Sequence, residues 1–295
     1  MYNEQAATLE PVDESGAEAQ KGWSSIAYTN ANPTRPGGWG KARRLARLRS
    51  QAGVYVWLAL DHGLTRGVLE GLADPGPSLA LAASSDATGV VVNRGLASLL
   101  PERARAGLVL QTFGLPVTGA GRAARVPTCR VEDALRLSAD AIAVQLDLNA
   151  AGLPEAIRAL SSTISDAAAF DLPVLIMMTA LEADDEFEAF ADALRICTEL
   201  GADTVKIALP QRVDEASRRE LAVVREALER SPPTLLCGGE RSDGFAERLA
   251  LARDLGFSGA CVGRHVFQAP NPAAVLETIA NAFQTGVAAA RSADV

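Results

Sequence analysis

What most constrains the fold of this chain is a rhythm. From residue 54 onward, short apolar runs alternate with longer amphipathic stretches. The runs are VYVWLAL (54–60), GVVVN (89–93), GLVLQT (107–112), AIAVQLDL (141–148), PVLIMMT (173–179), TVKIAL (204–209), PTLLCGG (233–239) and GACVG (259–263). Each has the length and β-branched content of a strand buried on both faces. Most are followed by segments with helical spacing, such as LPEAIRALSSTISDAAAF, DDEFEAFADALRICTELG and DGFAERLALARDLG. Continuous apolar strands alternating with helices mean a parallel sheet covered on its outer face. Eight such units in about 245 residues fit an α/β fold of the (β/α)8 barrel type in one domain. An open doubly wound sheet is the competing arrangement, but no GxGxxG turn follows the first run. ELGADTV and DLGFSGA read as helix-to-strand turns with Gly at the helix C-terminus.

The rest of the chain frames this unit. Residues 1–40 are rich in Glu, Ala, Gly, Pro, Ser and Asn and read as an N-terminal arm, partly disordered or docked on a partner. WGKARRLARLRSQAG, 39–53, reads as a short basic amphipathic helix that plugs one end of the domain, with Leu45 and Leu48 on one face. The expected division is an arm over 1–40, a barrel over 41–290 and a tail over 291–295. A net charge of −8 speaks against a nucleic-acid partner. No apolar run reaches the ~18–20 residues of a membrane span, and the acidic N-terminus lacks the apolar stretch of a secretory leader. Four cysteines far apart suit reduced thiols in the cytoplasm, and with only two histidines no metal or other cofactor is expected.

One residue breaks the pattern. The chain has only three lysines, Lys21, Lys41 and Lys206, and the third sits inside the apolar run TVKIAL. Everywhere else beyond residue 50 the basic residue is arginine. Arginine does not readily give up its proton, whereas lysine does. Burial inside a barrel disfavours the ammonium, so a lowered pKa and a neutral amine are expected for Lys206. Such an amine can condense with a ketone or aldehyde, and the protonated imine then accepts the electrons of a breaking C–C bond. The plainer possibility is a structural lysine paired with Asp61 or Asp147.

In a barrel of this kind the chemistry sits at the C-terminal ends of the strands. Asp61 and His62 close the first run, and Asp61 is a candidate acid/base. Gln145, Asp147 and Asn149, spaced by two, share a face at the end of the fourth run, and Thr179 ends the fifth. Asp147 is a second acid/base candidate or a scaffold for the lysine. The seventh and eighth runs end in Gly238-Gly239-Glu240-Arg241 and Gly263-Arg264. The loops after these two strands are the usual place for phosphate in such barrels, and Arg241 and Arg264 would add charge-assisted bonds.

ALDHG, ELGADTVK, CGGER and GACVGRHVFQAPNP, in that order and spacing, resemble the class I aldolase superfamily. The similarity runs from about Arg44 to Ala282 and points to the branch of the class I fructose-bisphosphate aldolases and the 2-amino-3,7-dideoxy-heptulosonate synthases. The resemblance implies that Lys206 forms the Schiff base, that Asp61 is the acid/base of the DHG motif, and that Gly263 and Arg264 belong to a phosphate turn. It also implies a phosphorylated small-molecule substrate and a homo-oligomer, for which the arm with Trp23, Tyr28 and Trp39 offers material. Several positions depart from the family pattern, His265 among them, standing where the family carries Asn. Thr179 stands where the family carries a tyrosine, Gln145 where it carries a histidine, and Glu240-Arg241 where it carries Pro-Lys. The imine chemistry is then expected to persist with a rebuilt proton-transfer set. The expected activity is a Schiff-base aldolase acting on a phosphorylated ketose. The alternatives are a diverged imine enzyme that condenses a phosphorylated C3 unit with an amino-acid semialdehyde, and a non-catalytic phosphosugar-binding barrel.

Overall fold

Eight parallel strands close on themselves in chain order in a computed structural model that describes residues 38–115 and 123–293 of the chain, with side chains up to residue 284. The strands are β1 (Tyr55–Ala59), β2 (Gly89–Asn93), β3 (Gly107–Gln111), β4 (Ala141–Asp147), β5 (Val174–Thr179), β6 (Thr204–Ile207), β7 (Thr234–Cys237) and β8 (Gly259–Val262), and β8 pairs with β1 to seal the ring. The helices that cover them are α1 (Trp39–Arg47), α2 (Gly76–Ser84), α3 (Val131–Arg136), α4 (Leu153–Ala168), α5 (Glu186–Leu200), α6 (Arg218–Glu229), α7 (Phe245–Leu255) and α8 (Pro272–Ala293). This is the (β/α)8 architecture that the alternation implies. The arm expected over residues 1–40 lies outside the described residues up to residue 37.

Burial follows the two-residue period of a strand. On β1, Val56 and Leu58 face the helices, where they join one large apolar layer. Tyr55, Trp57 and Ala59 point inward, with Val91, Val109, Ala143, Leu175, Met177, Leu235 and Cys261, into a second and smaller core. The inner core fills the lower barrel, so open space is left only where the inward residues turn polar, at the C-terminal rim. Helix boundaries follow local chemistry. Asp185 caps α5 by accepting from the N–H groups of Phe187 and Glu188, and Ser217 and Glu220 make a reciprocal capping box on α6. The ELGADTV turn ends α5 at Gly201, whose φ of +90° suits a residue without a Cβ.

The basic N-terminal helix is shorter than its sequence suggests. α1 stops at Arg47, not near residue 53, because Leu48 has to turn into the bottom of the barrel. Leu48 is fully buried in the inner core, and its carbonyl accepts from the Trp57 indole N–H at 2.7 Å. A tight turn then leads into β1, with the Ser50 N–H donating to the Val54 carbonyl and the Gly53 N–H to that of Ser50. The basic face of α1 reads the N-terminal ends of the strands. Lys41 pairs with Asp203 at 3.0 Å, Arg47 pairs with Asp140, and Arg44 donates to the carbonyls of Phe170 and Asp171.

Candidate functional site

Lys206 projects inward from β6, one strand from the Cys237 thiol of β7 and two from the Cys261 thiol of β8. Cys237 and Cys261 lie in register with each other on those strands, and both line a cavity of about 170 Å³ at the C-terminal rim together with Lys206. The cavity brings together Asp61, His62, Gln145, Thr179, Lys206, Gly238, Gly239, Gly263 and Arg264 of the residues expected from sequence. Asp147 and Arg241 stand outside it. The Oδ1 atom of Asp147 accepts from the backbone and side-chain N–H groups of Asn149 at 3.0 and 3.2 Å. Asn149 in turn holds the loop after β5 through the Ala180 carbonyl and the Glu182 N–H. Arg241 is exposed on the loop after β7.

The protonation of Lys206 departs from expectation. Burial, the largest influence, works against its ammonium, but Cys261, Cys237 and Asp61 together outweigh it and raise its proton affinity above that of a free lysine. The resting side chain is therefore an ammonium, with Cys261 the foremost of the neighbours that favour it. Cys261 keeps its own proton to about pH 12, because burial outweighs the pull of Lys206. An uncharged resting amine is thus replaced by a charged one that must lose its proton before it can attack a carbonyl.

Asp61 shares the cavity with Lys206 and is one of the groups that favour its charge. It is 9 % exposed and lies two residues beyond the end of β1. The Gln111 amide donates to its Oδ2 at 3.1 Å, while the Gln111 oxygen accepts from the Phe113 N–H, so the orientation of the amide is set from both ends. The Asn93 amide donates to the Asp61 backbone carbonyl at 3.0 Å and anchors the loop. His62 packs edge-on to Phe267, and its Nδ1 lies 3.9 Å from Asp61. Burial leads the forces that push its pKa down to about 4, against the opposing pull of Asp61, so the ring is neutral near pH 7. Gly263 makes room for it, since a Cβ there would collide with the His62 ring.

The glycine turns of β7 and β8 form one wall. Arg264 reaches over that wall with its Nε buried and without a hydrogen bond, while its Nη1 pairs with the exposed Glu240 at 2.9 Å. His265 faces away from the cavity. It is 4 % exposed, stacks on Phe245 at 4.0 Å and accepts from the Ser242 N–H at 3.2 Å, which makes it part of the scaffold.

The cavity also holds residues that sequence reasoning passed over. Arg66, Arg125 and the two thiols line it. The period of two along GACVG could have found Cys261, because it shares a face with Gly263. Gln111 is a polar end to an apolar run and carried the same signal as Thr179. Arg125 carried none, because a loop with no periodicity delivers it. Among the described residues, no group of three or more His, Cys, Asp or Glu side chains could hold a metal ion. No described helix is long and apolar enough to cross a membrane.

Comparison with known proteins agrees with this architecture. Residues 55–269 match the model of the DeoC/LacD family aldolases. A 2-amino-3,7-dideoxy-D-threo-hept-6-ulosonate synthase of Halobacterium salinarum is 29% identical over 247 residues, covering 81% of this chain and 90% of the relative. The crystal structure of an archaeal fructose 1,6-bisphosphate aldolase superposes with a TM-score of 0.73 at 25% identity, covering 83% of this chain and 99% of the other. A second archaeal fructose-1,6-bisphosphate aldolase structure has its catalytic lysine covalently bound to the carbinolamine intermediate of the substrate. It matches at a TM-score of 0.72 and 25% identity, over 83% of this chain and 99% of that one. The chain belongs to the DeoC/LacD family of class I aldolases.

Proposed function

We propose that this DeoC/LacD-family aldolase forms a Schiff base between Lys206 and the carbonyl of a phosphorylated ketose, and makes or breaks the C–C bond next to it. The observation that carries the reading is one lysine that shares a rim cavity with a carboxylate, two glycine turns and an arginine. Asp61 takes the proton that Lys206 must lose, which frees the amine to attack the ketone carbon. Asp61 returns that proton to the carbinolamine hydroxyl, which leaves as water, so the iminium forms and Asp61 is again a carboxylate. In the cleavage direction Asp61 then accepts the proton of the hydroxyl beyond the scissile bond. The bond electrons move to the iminium, an aldehyde departs and an enamine remains. Protonation of the enamine carbon and hydrolysis return the amine and release the three-carbon product. Gly238, Gly239, Gly263 and Arg264 hold the donor phosphate through backbone N–H groups and the free Nε of Arg264. His62, neutral near pH 7, bounds the same pocket, and Thr179 and Gln145 offer hydrogen bonds to substrate hydroxyls. Asp147, bound to Asn149, acts on the site from outside the cavity rather than on the substrate.

A second reading changes the partner aldehyde and keeps the imine. Similarity to a 2-amino-4,5-dihydroxy-6-oxo-7-(phosphonooxy)heptanoate synthase of Streptomyces griseus, 28% identical over 252 residues, supports a condensation of a phosphorylated three-carbon unit with an amino-acid semialdehyde, the two pieces into which the product so named divides between C4 and C5. Thr179 supports the same shift, because a threonine hydroxyl hydrogen-bonds but is a poor acid. The protein is further proposed to work in the cytoplasm as a homo-oligomer built with the help of residues 1–40, ahead of the barrel at 41–290 and the tail at 291–295. Trp39, 77 % exposed at the start of α1, is suited to such a contact.

Enamine formation can be read without an acceptor. In deuterated water the enzyme should exchange the proton on the reacting carbon of dihydroxyacetone phosphate, followed by proton NMR. Lys206→Ala should abolish the exchange. Equal exchange by the variant would remove the lysine from the mechanism.

A further inference from the structure

The glycine turns of β7 and β8 account for one anion, on one side of Lys206. We infer that Arg125, with Arg66 at the rim, forms a second anion subsite that takes the phosphate or carboxylate carried by the acceptor aldehyde. The term acceptor rests on the Schiff-base reading; the anion site itself does not.

Three observations support the subsite. Both guanidiniums line the same cavity as Lys206. Among the described residues, neither makes a hydrogen bond or an ion pair, and the Nε of Arg125 is buried without a partner. A buried N–H donor left unsatisfied in the free protein is costly, and an anion is the natural group to satisfy it. The backbone around Arg125 is also held in place. Just before it, the Ala124 N–H donates to the Ala151 carbonyl at 3.0 Å, which ties the segment to the loop after β4. Just after it, Val126–Pro127 pairs with Phe113–Gly114 in a two-residue ribbon. The side chain thus projects from a segment clamped on both sides.

Position and charge determine what this arginine can contact. In a closed ring of eight strands, β3 lies opposite β7. Arg125 follows β3, so it faces the glycine turns across the mouth, with Lys206 of β6 between the two walls. A donor phosphate held at the turns leaves the far end of a longer ketose, which is the acceptor half, directed at Arg125. Arg66 repels Arg125 within the same space, while Asp61 and Asp147 attract it without coming into ion-pair contact. Two like charges facing one cavity gain most from an anion between them.

The test compares acceptors and an unreactive anion, using the full chain and Arg125→Gln. In condensation with dihydroxyacetone phosphate, the variant should raise KM for glyceraldehyde 3-phosphate or an amino-acid semialdehyde about ten-fold more than for neutral glyceraldehyde, the loss expected for one charge-assisted hydrogen bond. The acceptor showing the larger penalty identifies phosphate or carboxylate as the natural group. Equal losses on charged and neutral acceptors would overturn the subsite, because a merely structural role would weaken both alike. Calorimetry supplies a reading independent of imine chemistry. With dihydroxyacetone phosphate saturating, glycerol 3-phosphate and glycerate are titrated into both proteins, and at least one should bind the variant about ten-fold more weakly. Unchanged affinity for both, or no binding to the unaltered chain, would overturn the proposal. If wild-type enzyme forms no imine yet Arg125→Gln loses anion affinity, the Schiff-base reading fails and the subsite stands.

Discussion

Lys206 lies between burial, which resists its charge, and three neighbours, the Cys261 and Cys237 sulfurs and the Asp61 carboxylate, which favour it. Because the balance raises its proton affinity, the amine is scarce near neutrality and becomes about ten times more abundant with each pH unit toward its pKa. The rate of imine formation should therefore climb with pH across the neutral range. Cys261→Ala removes the strongest of the opposing influences and should move the whole profile to lower pH. The profile is measured as the initial rate of reductive trapping at a series of pH values; an unmoved profile would show that the thiol does not set the lysine. His62 has the opposite sign. Its folded pKa is lowered to about 4 from 6.5, so the unfolded chain binds the extra proton between these values. Stability contributed by the neutral ring is complete above about pH 6.5 and is lost as pH falls toward 4, amounting to about 3 kcal/mol at most. Urea unfolding of His62→Gln should show a shallower loss over that window than the unaltered chain.

At the scale of elements, α1 closes the barrel floor and the loops after the strands build its mouth. Leu48 carries the closure because it is fully buried among the inner residues. Leu48→Ala should cost about 2–5 kcal/mol in chemical denaturation, the range for a leucine removed from a packed core. A cost below 1 kcal/mol would mean that the floor collapses around the gap. All eight strands were legible from the sequence because parallel strands, buried on both faces, leave unbroken apolar runs. The lysine and the aspartate after the first strand were legible because a charge within or at the end of such a run is conspicuous. Asp147 and Asn149 had the same signal, but β4 ends at Asp147 and Asn149 lies in the turn that follows, where the two bond to each other. Arg125 was illegible for a related reason. Its place depends on a short ribbon and a single tie to Ala151, and neither has a period. The charge state of Lys206 was misjudged because burial can be read from a run of apolar residues, whereas the thiols gathered around it come from two other strands.

Across the whole molecule, charge is unevenly arranged. The chain is acidic, with a net charge of −8, yet its rim cavity collects Arg66, Arg125, Arg264 and Lys206 around the carboxylate of Asp61. A cationic pocket in an acidic protein concentrates small anions at the site. This distribution suits a phosphorylated substrate that must be held at one end while the carbonyl meets the lysine. The account therefore depends on one bond, between the Lys206 nitrogen and a substrate carbon. Borohydride reduction in the presence of dihydroxyacetone phosphate, followed by digestion and mass spectrometry, reports on that bond directly. The account predicts that the mass of the reduced donor appears on the peptide containing Lys206 and is absent from Lys206→Ala. An unmodified Lys206 peptide, or the same mass on another residue, would contradict it.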